Sequence, residues 1–179
     1  MTKVKVAIVG VGNCASSLVQ GVSYYADKNR LASGLINQVI GGYGPSDIEF
    51  VLAFDTDARK VGKPLAEAIF ALPNCTTVFQ SEIHDAGPTV RMGKLLDGMA
   101  PHMFTHANGR GFEKASQTEA TAEEVTQALK DSGAEVMINF LPVGSETATK
   151  FYMQCALDAG VAVVNCMPVF IASNPEWEA

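Results

Sequence analysis

The residues best suited to chemistry stand near the start of the chain, in Val6-Ala-Ile-Val-Gly-Val-Gly-Asn-Cys-Ala15, followed by Ser16 and Ser17. Gly10, Gly12 and Ala15 fit G-x-G-x-x-G/A, in which small residues let the backbone approach a pyrophosphate at a helix N-terminus. A plain strand-to-helix turn also favours glycine, so the pattern needs support from elsewhere. Asp55 supplies it. In dinucleotide folds an acidic residue about 20 positions on accepts hydrogen bonds from a ribose diol. Asp55 follows Gly12 by 43 residues, and by 24 once the glycine-rich stretch 28–46 is set aside as a 19-residue insertion. The competing roles for this aspartate are helix cap and turn residue, and Asp57 could itself begin the next helix. A carboxylate here repels a 2′-phosphate and so favours NAD over NADP, although Arg59 and Lys60 stand where one could be received.

Other polar groups point less far. His102 and His106 share the i, i+4 spacing of helical zinc ligands. No acidic or thiol ligand stands nearby, and Pro101 and Gly109 limit any helix, so no metal site is expected. Asn108-Gly-Arg-Gly111 reads as a flexible turn before a phosphate loop. Cys14, Cys75, Cys155 and Cys166 form no C-x-x-C pair, and the apolar surroundings of Cys155 and Cys166 suggest buried thiols in a reducing cytoplasm.

The elements that must position these groups follow from periodicity. Lys3 to Val9 reads as a strand, not an export signal, because Val4 and Val6 alternate with the lysines and two glycines interrupt the apolar run. A helix from about Cys14 to Ala26 puts Ala15, Leu18, Val19, Val22 and Ala26 on one face. Ile48 to Phe54 forms a second buried strand ending at Asp55, and Leu65 to Leu72 looks helical. Cys75 to Phe79 reads as a short third strand, and 81–118 carries mostly loop signals. Thr121-Ala-Glu-Glu124 is a capping box that opens a helix with Ala122, Val125 and Leu129 inward and Gly133 at its close. Glu135 to Leu141 is the next strand. Ser145 then caps a helix whose inward face is Ala148, Phe151, Tyr152, Cys155, Ala156 and Ala159, and beyond Gly160 lies a further buried strand, Val161 to Asn165.

This alternation specifies an α/β fold in one domain over 1–179: a Rossmann-like, doubly wound parallel sheet with helices on both faces. Ligands bind such sheets beyond the strand C-termini, where Gly10–Ala15, Asp55–Asp57, Leu141–Ser145 and Asn165 collect. Ser173-Asn-Pro175 reads as a helix start with only four residues to follow, so the chain is expected to stop inside an element, as a truncated protein would. With 47% hydrophobic residues and a net charge of -6, the composition is that of a soluble globular domain and argues against a nucleic-acid partner. No apolar run approaches the ~20 residues of a membrane-spanning helix.

Val6 to Gly21 resembles the N-terminal motif of the myo-inositol-1-phosphate synthases (inositol-3-phosphate synthases), particularly their shorter prokaryotic branch. Phe50-Val-Leu-Ala-Phe-Asp-Thr-Asp57, Lys60-Val-Gly62, Leu141-Pro-Val-Gly-Ser-Glu146, Lys150-Phe-Tyr152 and Pro168-Val-Phe-Ile-Ala-Ser173 match further blocks in order and spacing. The likeness fades between about Thr89 and Ala120. It implies a Rossmann domain that carries a separate catalytic and tetramerisation domain, and an NAD-dependent isomerase acting in the cytoplasm. The implied reaction takes D-glucose 6-phosphate to 1L-myo-inositol 1-phosphate by oxidation at C5, intramolecular aldol closure and return of the hydride. By position, Gly10, Gly12, Asn13, Cys14 and Ala15 would hold the pyrophosphate and Asp55 the adenosine ribose. Ser145 and Tyr152 match positions near the cofactor, while Tyr152 lies equally on the inward stripe of its helix. Pro64 stands where relatives commonly have an acidic residue. The family's catalytic lysines fall beyond the end of this chain, and Lys94, Lys130 and Lys150 match none of them, so the resemblance leaves the catalytic residues unassigned. It implies NAD binding without turnover by this chain alone. Two other functions fit the same residues: a small NAD-dependent dehydrogenase of a sugar or polyol, and a non-catalytic nucleotide-binding module.

Overall fold

The computed structural model describes residues 3–27, 33–106, 109–175 and 177. Among these residues five strands, β1 (Val4–Val9), β2 (Ile48–Asp55), β3 (Arg91–Met92), β4 (Val136–Asn139) and β5 (Ala162–Asn165), form one sheet. Its order is β3-β2-β1-β4-β5, and every pairing is parallel. The order reverses between β1 and β4, which is the switch point of a doubly wound sheet.

Period-two alternation in β1 and β2 feeds both layers. Val6, Ile8 and Ala53 point to one core, shared with Ala15 and Val19 of α1 (Asn13–Ala26) and with Leu65 and Ala68 of the short α2 (Leu65–Ala68). Ala7, Val9, Leu52 and Phe54 point to the other, under α3 (Ala122–Ser132) and α4 (Glu146–Ala159). Helices therefore cover both faces, as the alternation of elements requires.

Several local expectations hold. Thr121 and Glu124 form the reciprocal capping box, and Gly133 and Gly160 close α3 and α4 in the left-handed conformation, at φ 66° and 72°. Others need correction. The buried face of α1 is Ala15, Ser16, Val19, Gln20 and Ser23, with Leu18, Val22 and Ala26 only half-buried. The reason lies in 75–80, which is not a strand. This segment runs along α1 and has its amides satisfied by side chains: Asn13 Oδ1 accepts from Cys75 N and Thr76 N, and Gln20 Oε1 from Phe79 N and Gln80 N. The third strand is instead the two-residue β3, inside the stretch that carries loop signals. Helix α2 stops at Ala68. On α3, Ala128 is buried and Ala122 exposed. β5 is the sheet's edge and alternates between half-buried and exposed residues, so Cys166 just beyond it is exposed rather than buried. Within 28–46, residues 28–32 lie outside the described residues. The remainder holds an Ile40–Tyr43 antiparallel bridge and a 3-10 turn at Pro45–Asp47. Asn108 and, near the C-terminus, residues 176, 178 and 179 also lie outside the described residues.

Candidate functional site

The strand C-termini are laced into one edge. Gly93 N donates to Asp55 O, Gly10 N to Phe54 O, Phe140 N to Val9 O and Cys166 N to Asn139 O, each at 2.8–3.1 Å. Gly10 makes this possible at the switch point. Its φ is +87°, and a Cβ there would lie 2.9 Å from the Phe140 carbonyl oxygen. Gly12 is different: a Cβ would meet nothing within 4 Å, so the backbone faces open space. Gly12 is also the N-cap of α1, and neither a side-chain cap nor an acidic residue occupies that first turn. The N-termini of α3 and α4 both receive side-chain oxygens, from Thr121 and from Asp97. Among the described residues no side chain caps α1, so of these three helices it alone keeps its positive end open, the arrangement that accepts an anion. Ala15 is fully buried beneath it, letting α1 approach the sheet closely.

A closed ring of polar contacts fixes the glycine turn. Asp55 Oδ2 accepts from Val11 N at 2.7 Å, and Asn74 Nδ2 donates to Val11 O at 3.1 Å. Lys60 Nζ donates to Asn74 Oδ1 at 2.9 Å and lies 3.8 Å from Asp55 Oδ2. Asp55 Oδ1 accepts from the amides of Thr56 and Asp57, which leaves Oδ2 with capacity for one further donor. Next to it Asp57 is 1% exposed and bidentate with Arg59, and it also accepts from Arg59 N and Glu113 N. Burial opposes its ionisation, but these hydrogen bonds and the Arg59 charge hold its carboxyl below the usual range. Arg59 also donates to the carbonyls of Gly109 and Gly111, and its Nη1 lies 3.4 Å from a Glu113 carboxylate oxygen.

Across the switch point, Asn139 is wholly buried and links Thr149 of α4 to Asn165 of β5. Ser145 sits at the N-cap of α4, yet its hydroxyl donates to Pro142 O at 2.7 Å and caps nothing. That corrects the capping role the sequence suggests for it. Tyr152 is 1% exposed, packs on Phe54 and Phe151, and accepts a hydrogen bond from Lys94 N at 2.7 Å. Burial pushes its phenol far upward, so it stays protonated.

With this geometry in place, comparison with known proteins gives a consistent result. The chain is 49% identical over 178 residues to inositol-3-phosphate synthase of Corynebacterium glutamicum, covering 97% of this chain and 46% of that relative. It is 49% identical over 181 residues to the enzyme of the same name from Mycobacterium tuberculosis H37Rv, covering 98% and 46%. The chain is a relative of the inositol-3-phosphate synthases. It spans about half the length of these curated relatives. No protein-family model matches it. Among solved structures, one titled as the crystal structure of Ari2 superposes with a TM-score of 0.78 at 31% identity, covering 98% of this chain and 48% of that one. A myo-inositol-1-phosphate synthase-related protein from Thermotoga maritima gives 0.70 at 23% identity, covering 98% and 50%, a likeness of fold.

Of the residues that resemblance to the inositol-3-phosphate synthases nominates, the structure brings Gly10, Gly12, Asn13, Cys14 and Asp55 together at the open edge, with Ala15 under them. The Asn13 carboxamide is committed to Cys75 and Thr76, so it fastens that segment to α1. Ser145 lies in the turn across the switch point, and Tyr152 stands in the core behind it. Sequence reasoning missed Asn74 and Asp97, and it offered Lys60 to a 2′-phosphate where the structure ties it to Asn74 and Asp55. No spacing rule marks Asn74 or Asp97, because each acts on a segment 50 or more residues away.

Proposed function

We propose that this chain is the nucleotide-binding portion of an inositol-3-phosphate synthase and that it holds NAD along the edge from Asp55 to Leu141. The observation that carries this reading is the open N-terminus of α1 at Gly12, two residues past the Gly10 contact that shapes the turn. In this reading the amides of the first turn of α1 meet the pyrophosphate, and the remaining capacity of Asp55 Oδ2 takes a ribose hydroxyl. Cys14 flanks the pyrophosphate, and Ser145 shapes the nicotinamide side through Pro142. Tyr152 supports that side from beneath, without touching it. Arg59 and Lys60 are both engaged internally, which supports NAD over NADP.

When bound, NAD would supply reversible hydride acceptance, the chemistry by which a sugar phosphate such as D-glucose 6-phosphate would be isomerised to an inositol phosphate without net oxidation. The protein's part here is to bind and orient. We assign the aldol chemistry to residues outside this chain, so the chain alone binds without turnover, and full function requires assembly of the tetrameric kind implied by the family. The four free thiols suit a reducing cytoplasm, and among the described residues no helix is long and apolar enough to cross a membrane.

Calorimetry tests the reading. NAD is expected to bind at least about tenfold more tightly than NADP. Gly12→Asp should abolish binding by placing a carboxylate where the pyrophosphate belongs, while the fold stays intact because aspartate is a favourable N-cap. Failure of the wild-type chain to bind NAD, or undiminished binding by Gly12→Asp, overturns it.

A further inference from the structure

Asp97 lies on the loop that leaves β3, and it meets a helix that begins about 50 residues later. Its Oδ2 accepts from Thr147 N and its Oδ1 from Ala148 N, both at 2.7 Å. This service is ordinarily supplied by the N-cap residue, but the Ser145 hydroxyl is turned away to Pro142. One helical turn further on, Lys94 N donates to the Tyr152 hydroxyl, so the loop is fastened to α4 at two points. Gly93 has no Cβ because the Tyr152 hydroxyl occupies that space. Leu96, immediately before Asp97, has φ +45°, a conformation side-chain-bearing residues rarely hold unless surroundings impose it. The turn closes with Gly98 N on Leu95 O at 2.6 Å.

We propose that Asp97 is a positioning residue for the nicotinamide half of the site, holding the first turn of α4 and with it the turn Leu141–Ser145. The inference rests on the dinucleotide reading above. A doubly wound sheet binds one mononucleotide half on β1-α1-β2 and the other on its counterpart beyond the switch point, here β4-α4-β5. The first half has its own fastening in Asp55, Asn74 and Lys60, none of which touches Asp97 in the contacts described. The second half has Asp97. Without it, the amides of Thr147 and Ala148 lose their acceptor, the start of α4 frays, and the turn that backs onto Gly10 keeps Asn139 as an anchor at Leu141 but loses the one at its helix end. Damage therefore falls on one half of the cofactor only.

The test compares NAD with ADP, which lacks the nicotinamide half, by calorimetry on wild type, Asp97→Ala and Asp97→Asn. Asp97→Ala should weaken NAD about tenfold and leave ADP within about twofold. Asp97→Asn, which keeps one acceptor, should fall between, and it carries the comparison if the alanine variant does not fold. Hydrogen exchange at Thr147 and Ala148 should accelerate in step. Equal losses for NAD and ADP would mean a merely structural role and overturn the inference, as would unchanged NAD binding. A wild type that binds ADP and NAD but shows no difference in Asp97→Ala sinks this inference alone. A wild type that binds neither sinks the cofactor reading and this inference with it.

Discussion

Gly10 and Gly12 stand two residues apart and answer different demands. Gly10 combines a left-handed backbone with a carbonyl 2.9 Å from where its Cβ would be, so it is needed by the fold. Gly12 has space around it and a φ of -90°, so it is free to serve a ligand. Gly10→Ala should therefore cost about 2 kcal/mol or more of stability, while Gly12→Ala stays within about 1 kcal/mol; urea unfolding separates the two. Asp57 gives a second prediction at this scale. Its folded pKa is lowered, so its stabilisation is complete above the unfolded value near 3.9 and is lost as pH falls through the folded value. Asp57→Asn should cost about 3 kcal/mol at neutral pH, because Arg59 loses its bidentate carboxylate and keeps only Glu113 at 3.4 Å as an ionic partner, and should flatten the acid limb of stability. Thermal melts of both proteins from neutral pH to about pH 3 check this, and parallel curves would refute it.

At the scale of elements, α1 shows how far a sequence carries. Its start after Gly12, its length and the inward Ala15 and Val19 follow from local pattern. Its polar buried side does not, because Ser16 and Gln20 are buried by a segment some 60 residues away that no periodicity announces. Gln20 is wholly buried and accepts from Phe79 N and Gln80 N while its amide donates to Ser16 Oγ. Gln20→Leu keeps the volume but strands two amides, and should cost about 2–3 kcal/mol with faster exchange at Phe79 and Gln80. Thr76, Thr77 and Val78 have strand-like chemistry, but α1 supplies their segment's hydrogen bonds and leaves no need for a sheet. β3 escapes detection for the opposite reason: two residues are too few for alternation to register. The candidate site divides the same way. The glycine turn and Asp55 are legible because strand, turn and helix are local events. Asn74 and Asp97 are not, and Lys60 is legible only as a charge near Asp55, since their roles exist only once the chain has folded over itself.

At the scale of the whole molecule the two faces of the sheet are unequal. On the face of α3 and α4, Met137 of β4 is fully buried and Val163 of β5 packs against the core. On the face of α1, Ile138 is only partly buried and Val164 of β5 is 48% exposed, with Phe170 80% exposed beyond it. β5 is also the last strand of the sheet, and an apolar edge of this kind is a template for pairing with another chain. The isolated chain is therefore expected to self-associate as its concentration rises. Val164→Lys places a charge on that edge at an exposed position, where the cost to folding is within about 0.5 kcal/mol. Sedimentation velocity across a concentration series should show the wild-type coefficient climbing and that of Val164→Lys holding near the monomer value. A wild type that remains monomeric throughout would show that the twist and shortness of β5 already protect the edge. An unchanged climb in the variant would move the contact elsewhere, with the exposed Ile36, Val39 and Ile40 of the loop after α1 as the next surface to charge.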